Sequence, residues 1–187
     1  QVVPHITNEI KRNVKLLGEK QHYDFVITEI GGTIGDIESM PFLEAIRQMK
    51  WEMGKNAVCV HLTYVPYLKA AGELKTKPTQ HSVKELQSVG IQPDVLVLRT
   101  EKHLGDAILK KVAAFCNVDF DCVVQSEDLP SIYEVPVNML NQGLDSAILR
   151  KLGMEIGEKP TLGPWRNFLE RRKNATEEVH IGLVGKY

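Results

Sequence analysis

Residues 75–80 carry the side-chain types that bind phosphate. Their sequence, Lys-Thr-Lys-Pro-Thr-Gln, places two cations, two hydroxyls and an amide on a backbone stiffened by proline. Lysine supplies positive charge, and hydroxyl and amide groups supply hydrogen-bond donors. A capping box, Ser82-x-x-Glu85, predicts a helix over residues 82–90, whose free N–H groups would add positive potential. The pattern favours phosphate binding, although a solvated basic loop has the same composition.

Glu29 is the candidate metal ligand. It lies near the end of residues 24–30, a short and mostly apolar run that predicts a buried strand. Ligands of open parallel sheets bind outside the carboxyl ends of the strands, and Gly31 and Gly32 would let a ligand approach the backbone closely. Magnesium usually takes one or two carboxylates together with phosphate oxygens and water. An ion pair or a helix cap would explain the same carboxylate.

Several other polar residues have structural explanations. Asp36 and Ser39 precede a helix predicted to start near Pro41, so capping accounts for them. Lys111, taken alone, belongs to the exposed face of a third helix. No C-x-x-C pair is present, and the cysteines are predicted to be buried thiols: Cys59, Cys116 and Cys122.

Strands and helices alternate along most of the chain. Strands are predicted at residues 24–30, 57–63, 94–98 and 122–125, with helices at 41–53, 82–90 and 106–115 between them. This order predicts an α/β fold, a parallel sheet flanked by helices with right-handed crossovers. Beyond residue 131 the pattern becomes helical, and glycines and prolines at 157–164 indicate a linker. A charged helix at 165–172 and a further strand at 179–184 follow.

Charge and motif content exclude several function classes. The 23 basic and 24 acidic residues give a net charge of -1, so no global field would attract nucleic acid or an anionic membrane. No apolar run approaches the roughly 18 residues of a membrane span, and no secretory leader opens the chain, so we expect a cytoplasmic protein. The phosphate loop G-x-x-x-x-G-K-[ST] is absent. The chain has therefore either lost a first strand and helix or does not hydrolyse nucleotide.

Six longer motifs are distributed over essentially the whole chain. They are Pro-His-Ile-Thr-Asn, Glu-Ile-Gly-Gly-Thr-Ile-Gly-Asp-Ile-Glu-Ser, Pro-Phe-Leu-Glu-Ala-Ile-Arg-Gln, Lys-Thr-Lys-Pro-Thr-Gln-His-Ser-Val-Lys-Glu-Leu, Ser-Ile-Tyr and Ile-Gly-Leu-Val-Gly-Lys-Tyr, at residues 4–8, 29–39, 41–48, 75–86, 131–133 and 181–187. Taken together, these motifs closely resemble the CTP synthase family.

The resemblance implies an architecture and an activity. Residues 1–150 would form an amidoligase domain of the P-loop NTPase-like, dethiobiotin-synthetase-like type, lacking its first strand and phosphate loop. Residues 151–178 would be an interdomain linker with a helix, and 179–187 the first strand of a truncated glutaminase domain. In the family, ATP phosphorylates the 4-oxygen of UTP with the help of Mg²⁺. Ammonia from glutamine then displaces phosphate to give CTP in a homotetramer, and we expect the 187 residues alone to be inactive.

The resemblance also assigns site residues. Glu29 would be a magnesium ligand. The UTP or CTP side would be formed by Asp36, Ile37, Glu38, Lys75, Thr76, Lys77, Pro78, Thr79, Gln80 and Lys111. The ATP side would be formed by Arg99, Glu127, Asp128 and Leu129. Two alternatives stay open: a non-catalytic nucleotide-binding or oligomerisation module, and a partitioning ATPase, which shares the sheet but does not need residues 75–80.

Overall fold

The computed structural model describes residues 1–186 and has an α/β architecture. Its helices are α1 (Thr7–Lys20), α2 (Met40–Met53), α3 (Lys77–Ser88), α4 (Asp106–Cys116), α5 (Val135–Gln142), α6 (Leu144–Lys151) and α7 (Gly163–Lys173). Its strands are β1 (Val60–Val65), β2 (Tyr67–Leu68), β3 (Glu73–Leu74), β4 (Val95–Thr100) and β5 (Val123–Glu127). None of the helices formed by residues 1–186 combines the length and apolar character needed to cross a bilayer.

The main sheet is parallel, with strand order β1-β4-β5. Its central strand β4 lies between the other two, and successive residues Val95 and Leu96 are fully buried, as is Leu98, so both faces of this apolar strand are covered. The register places Tyr64 opposite Arg99 and Thr100 opposite Glu127. The carboxyl ends of all three strands therefore meet at one edge, and the predicted parallel sheet flanked by helices is confirmed.

The predicted strand at residues 24–30 is wrong for this structure. The segment has no regular secondary structure, and Ile27 is 93% exposed. Residues 24–30 and the outer strand β1 line the same cavity, and Val60 and Leu62 of β1 are exposed there. A strand forms only where a neighbour satisfies its N–H and C=O groups, and among the described residues this segment has no such neighbour.

One helix prediction needs correction, and one helix was not predicted. Helix α3 starts at Lys77 rather than at the predicted capping box, so Ser82 lies inside the helix and its hydroxyl contacts Nε2 of His61 at 2.9 Å. The sequence analysis also did not predict α1, which packs against α2 through ion pairs from Lys11 and Lys15 to Glu52. The helices α2, α4 and α7 lie where they were predicted.

Two strands have other boundaries than predicted, and one predicted strand is wrong for this structure. β1 starts three residues later than expected, and β5 extends two residues further, to Glu127. Residues 179–184 form no strand and are exposed, because they have nothing to pair with in residues 1–186. Tyr187, the end of the predicted 179–187 unit, lies outside the described residues.

Candidate functional site

A cavity of about 1730 Å³ runs along the outer strand β1 and reaches the carboxyl edge of the sheet. Its lining comes from residues 23–34, α1, α2, residues 56–64, α3 and the region of α6, and at the carboxyl edge from Arg99, Glu101 and Asp128. It brings together four of the predicted site residues: Glu29, Pro78, Arg99 and Asp128. The other predicted site residues do not line it in the part of the chain that is described: Asp36, Ile37, Glu38, Lys75, Thr76, Lys77, Thr79, Gln80, Lys111, Glu127 and Leu129.

The predicted phosphate segment forms the end of a short hairpin and the first turn of α3. Lys75 follows β3, and its Nζ lies 2.5 Å from Oε1 of Glu73. Lys77 is exposed as the first residue of α3, and Pro78 occupies the first turn, where its missing N–H costs nothing. The N-terminus of α3 therefore presents two lysines together with the positive end of the helix dipole.

The other three residues of this segment face inward. The Oγ1 atom of Thr79 is fully buried, donates to the carbonyl of Tyr64 at 3.1 Å and lies 3.0 Å from Oγ1 of Thr63. Gln80 is also buried, and its Nε2 donates to Oγ1 of Thr76 at 3.1 Å. Thr79 thus holds the start of α3 against β1, whereas Gln80 and Thr76 bond to each other at the start of the helix.

Residues 33–38 form an acidic turn at the start of α2. Oδ2 of Asp36 accepts from the backbone N–H of Thr33 at 2.9 Å, and the N–H of Asp36 donates to the carbonyl of Thr33 at 3.0 Å. Gly32 has φ +88°, so an L side chain there would be strained. Ile37 and Glu38 project into solvent. The Ser39 hydroxyl donates to the carbonyl of Asp36 at 2.8 Å and caps no helix N–H, so the predicted Ser39 cap is wrong.

Glu29 brings one exposed carboxylate to the cavity. A single carboxylate fits magnesium, whose remaining ligands are commonly phosphate oxygens and water.

Within residues 1–186 one group of three potential metal ligands is clustered, and it consists of Asp119, Asp121 and Cys122. Those carboxylates pair with Lys151, at 2.6 Å from Asp119, and with Arg150. That cluster is an ion-pair network near the amino end of β5, away from the carboxyl edge.

The predicted ATP-side residues lie at, or directly after, the carboxyl ends of β4 and β5. Arg99 is the penultimate residue of β4, and its Nη2 lies 3.7 Å from Oδ1 of Asp128. On the neighbouring strand, the hydroxyl of Tyr64 donates to Oε1 of Glu101 at 2.8 Å, and this hydrogen bond raises the pKa of Tyr64. A planar guanidinium and a phenol ring thus stand side by side at the cavity mouth, in register on adjacent strands.

The side chain of Glu127 is engaged within the protein. Its Oε1 lies 2.7 Å from Nδ1 of His103, in the loop after β4. The backbone continues the sheet, because the N–H of Asp128 donates to the carbonyl of Thr100 at 3.0 Å.

The sequence analysis missed Tyr64, Glu101 and His103. Their position at or directly after the carboxyl ends of strands is the signal that would have identified them.

Lys111 lies apart from these groups. It is exposed on the middle of α4, the helix that follows the loop after β4. Within residues 1–186, neither cavity lining nor a hydrogen bond connects it with α3. Its predicted role at the triphosphate stays a prediction.

Comparison with known proteins gives a consistent result. The family described as CTP synthase N-terminus matches residues 1–154. A protein named CTP synthase from Bacteroides thetaiotaomicron is 73% identical over 189 residues, covering 100% of this chain and 35% of that relative. Proteins of the same name from Porphyromonas gingivalis and Flavobacterium psychrophilum are 67% and 56% identical over 187 and 188 residues, again with 100% of this chain and 35% of each relative covered.

The extent of these matches decides what they show. The family match covers more than half of the chain, and the relatives match it along its whole length. The chain spans about a third of the length of these curated relatives. It corresponds to their N-terminal, synthetase part, and the chain belongs to the CTP synthase family.

Proposed function

We propose that this chain is the nucleotide-binding part of an enzyme that converts UTP into CTP with ATP and ammonia. The observation that carries the proposal is the cavity at the carboxyl edge of the sheet in a chain of this family. Glu29, Pro78 of α3 and the guanidinium of Arg99 line it, and Lys77 precedes Pro78 in the first turn of α3 without lining the cavity. These are the groups that two nucleoside triphosphates and a divalent cation require.

The chemistry divides into two displacements. The 4-oxygen of UTP is a poor leaving group, so ATP first transfers its γ-phosphoryl group to that oxygen. Ammonia then attacks C4 and phosphate leaves. Positive charge near the transferring group lowers the barrier of the first step, since most of its catalysis is positioning and electrostatic stabilisation. When bound, magnesium would neutralise charge on the phosphates, with Glu29 among its ligands.

Each part of the edge has a proposed role. Lys75 and Lys77, with the N-terminus of α3 and with Lys111, would bind the triphosphate of UTP or of CTP. The turn with Asp36, Ile37 and Glu38 would contact the same nucleotide. On the other side, Arg99 would stack on adenine, while the backbone of residues 127–129 contacts the base edge. Thr76, Pro78, Thr79 and Gln80 would shape the start of α3 that presents the lysines.

The larger assembly is also part of the proposal. Residues 1–150 would form the synthetase domain, 151–178 the linker that contains α7, and 179–187 the beginning of a glutaminase domain that supplies ammonia. The intact enzyme would act as a homotetramer in the cytoplasm. Residues 75–80 of one subunit would then form a nucleotide site together with residues 36–38 of another subunit.

The cationic helix start provides the test. We expect Lys75→Ala combined with Lys77→Ala, in the intact protein, to weaken UTP and CTP binding by about tenfold or more, since each lysine contributes a charge-assisted contact. ATP binding should change much less. Lys84→Ala, an exposed lysine further along α3, is the matched control. Equal loss of affinity for ATP and UTP would contradict the assignment, and so would unchanged binding of both nucleotides.

A further inference from the structure

The loop after β4 is fixed by two buried polar side chains. Thr100 has no exposed surface, and its Oγ1 donates to the carbonyl of Lys102 at 2.8 Å and accepts from the same residue's N–H at 3.3 Å. Gln125 is 5% exposed, and its Oε1 accepts from the N–H of Leu104 at 2.7 Å. Its Nε2 donates to the Leu104 carbonyl at 3.2 Å. The loop is thus bound through its backbone at two points, on either side of His103.

Gln125 is in turn held by another glutamine. It lies on β5, an edge strand of the three-stranded sheet, and its backbone N–H donates to Oε1 of Gln142 at 2.9 Å. Nε2 of Gln142 donates back to the Gln125 carbonyl at 2.6 Å, and also to Oδ1 of Asn138 at 2.5 Å. The amide of Gln142 therefore supplies the hydrogen bonds that a further strand would make at this residue. Side chain and backbone of Gln125 are both fully engaged.

This network ends at the groups proposed to bind ATP. Glu127 and Asp128 follow Gln125 by two and three residues, and the loop it holds carries His103, which contacts Glu127. Gln125 thus joins the segment after β4 to the segment after β5, and both segments flank Arg99. A buried amide that binds only backbone groups adds no contact with solvent, so its effect on a ligand must act through the position of these segments.

We propose that Gln125 is a positioning residue for ATP. Its hydrogen bonds hold the loop after β4 and the backbone of residues 127–129 in the arrangement that binds the adenine ring. The proposal rests on the proposed function, in which this edge binds ATP. Its consequence is specific: the UTP side, at α3 and residues 33–38, shares no hydrogen bond with the Gln125 network in the described structure. Loss of Gln125 should therefore affect one nucleotide and not the other.

The experiment compares two substitutions of Gln125 in the intact protein. Gln125→Met preserves length but leaves the N–H and carbonyl of Leu104 without partners, and we expect the KM for ATP to rise about tenfold or more. The KM for UTP, and kcat at saturating ATP, should stay unchanged. Gln125→Glu keeps an acceptor for the Leu104 N–H but loses the donor to its carbonyl, so its KM for ATP should lie between those of Gln125→Met and the unchanged protein.

A matched control and a companion variant separate the outcomes. Gln92 also bonds backbone carbonyls, those of Cys116 and Asn117, but at the amino end of β4, so Gln92→Met should leave both KM values unchanged. If Arg99→Ala raises the KM for ATP and both Gln125 variants do not, the positioning role is overturned and the ATP assignment stands. If none of the three raises it, the ATP assignment falls as well. Equal rises for ATP and UTP would show a purely structural residue, and Gln125→Glu decides if Gln125→Met does not fold.

Discussion

Residue types in a short segment do not reveal which way the side chains point. Residues 75–80 contain five side chains that can bind phosphate, yet Thr76, Thr79 and Gln80 are buried. The structure explains this, because α3 begins at Lys77 and residues 76, 79, 80 and 83 then share the helix face that packs on β1. The sequence contained that spacing, but the capping box at Ser82 displaced the predicted helix start.

Thr79 tests this assignment at the level of one hydroxyl. Replacing Thr79 by Val keeps the shape but leaves the Tyr64 carbonyl and the Thr63 hydroxyl without their partner, at a cost of about 1–3 kcal/mol of unfolding free energy. Denaturant unfolding of the intact protein should show this loss. Thr79→Ser, which keeps the hydroxyl, should lose less. If Thr79→Val were as stable as the unchanged protein but bound UTP more weakly, Thr79 would be a ligand-binding residue instead.

Secondary-structure elements were predictable where their signals are local. The apolar run of β4, and α4 with its apolar face, appear where the sequence places them. The strand at residues 24–30 has the same apolar character, but a strand depends on a partner that is distant in sequence, and that dependence is not encoded locally. For the same reason the small hairpin of β2 and β3, within a long predicted loop, was not predicted.

The packing of β1 on α3 predicts a pH dependence of stability. His61 contacts Ser82 of α3, and burial lowers the pKa of His61 from its usual 6.5. A lowered pKa in the folded state means that the unfolded chain binds the proton first. His61 therefore contributes stability above pH 6.5 that is lost as the pH falls below it.

The measurement is thermal unfolding of the intact protein between about pH 8 and pH 5. His61→Gln, which retains a polar group near the Ser82 hydroxyl, should remove the part of the acid-side decline that begins near pH 6.5. A decline of equal size in both proteins would assign the pH dependence to groups other than His61.

At the scale of the molecule, the two sides of the cavity differ in how firmly the backbone is held. Behind β4 and β5, buried Thr100 and Gln125 fix the backbone next to Arg99. Across the cavity, residues 24–30 carry Glu29 on an exposed segment without strand pairing. The sequence analysis predicted Arg99 on one side and Glu29 on the other. It did not predict that the backbone is held by hydrogen bonds at Arg99 and lacks strand pairing at Glu29, because that difference depends on which strands are adjacent.

This asymmetry predicts how the 187-residue chain should behave beside the intact protein. Residues 24–30 form no strand that would hold Glu29 in place, and the sequence contains no phosphate loop. We therefore expect the chain alone to form no measurable CTP from UTP, ATP and ammonia. Hydrogen exchange should be fast at residues 24–30 of the chain and slow in the intact protein, where a neighbouring strand would pair with them. Exchange within β4 should be slow in both and serves as the internal control. CTP formation by the chain at a rate near that of the intact protein would mean that Glu29 needs no paired strand to act, and the proposed division of the site would be wrong.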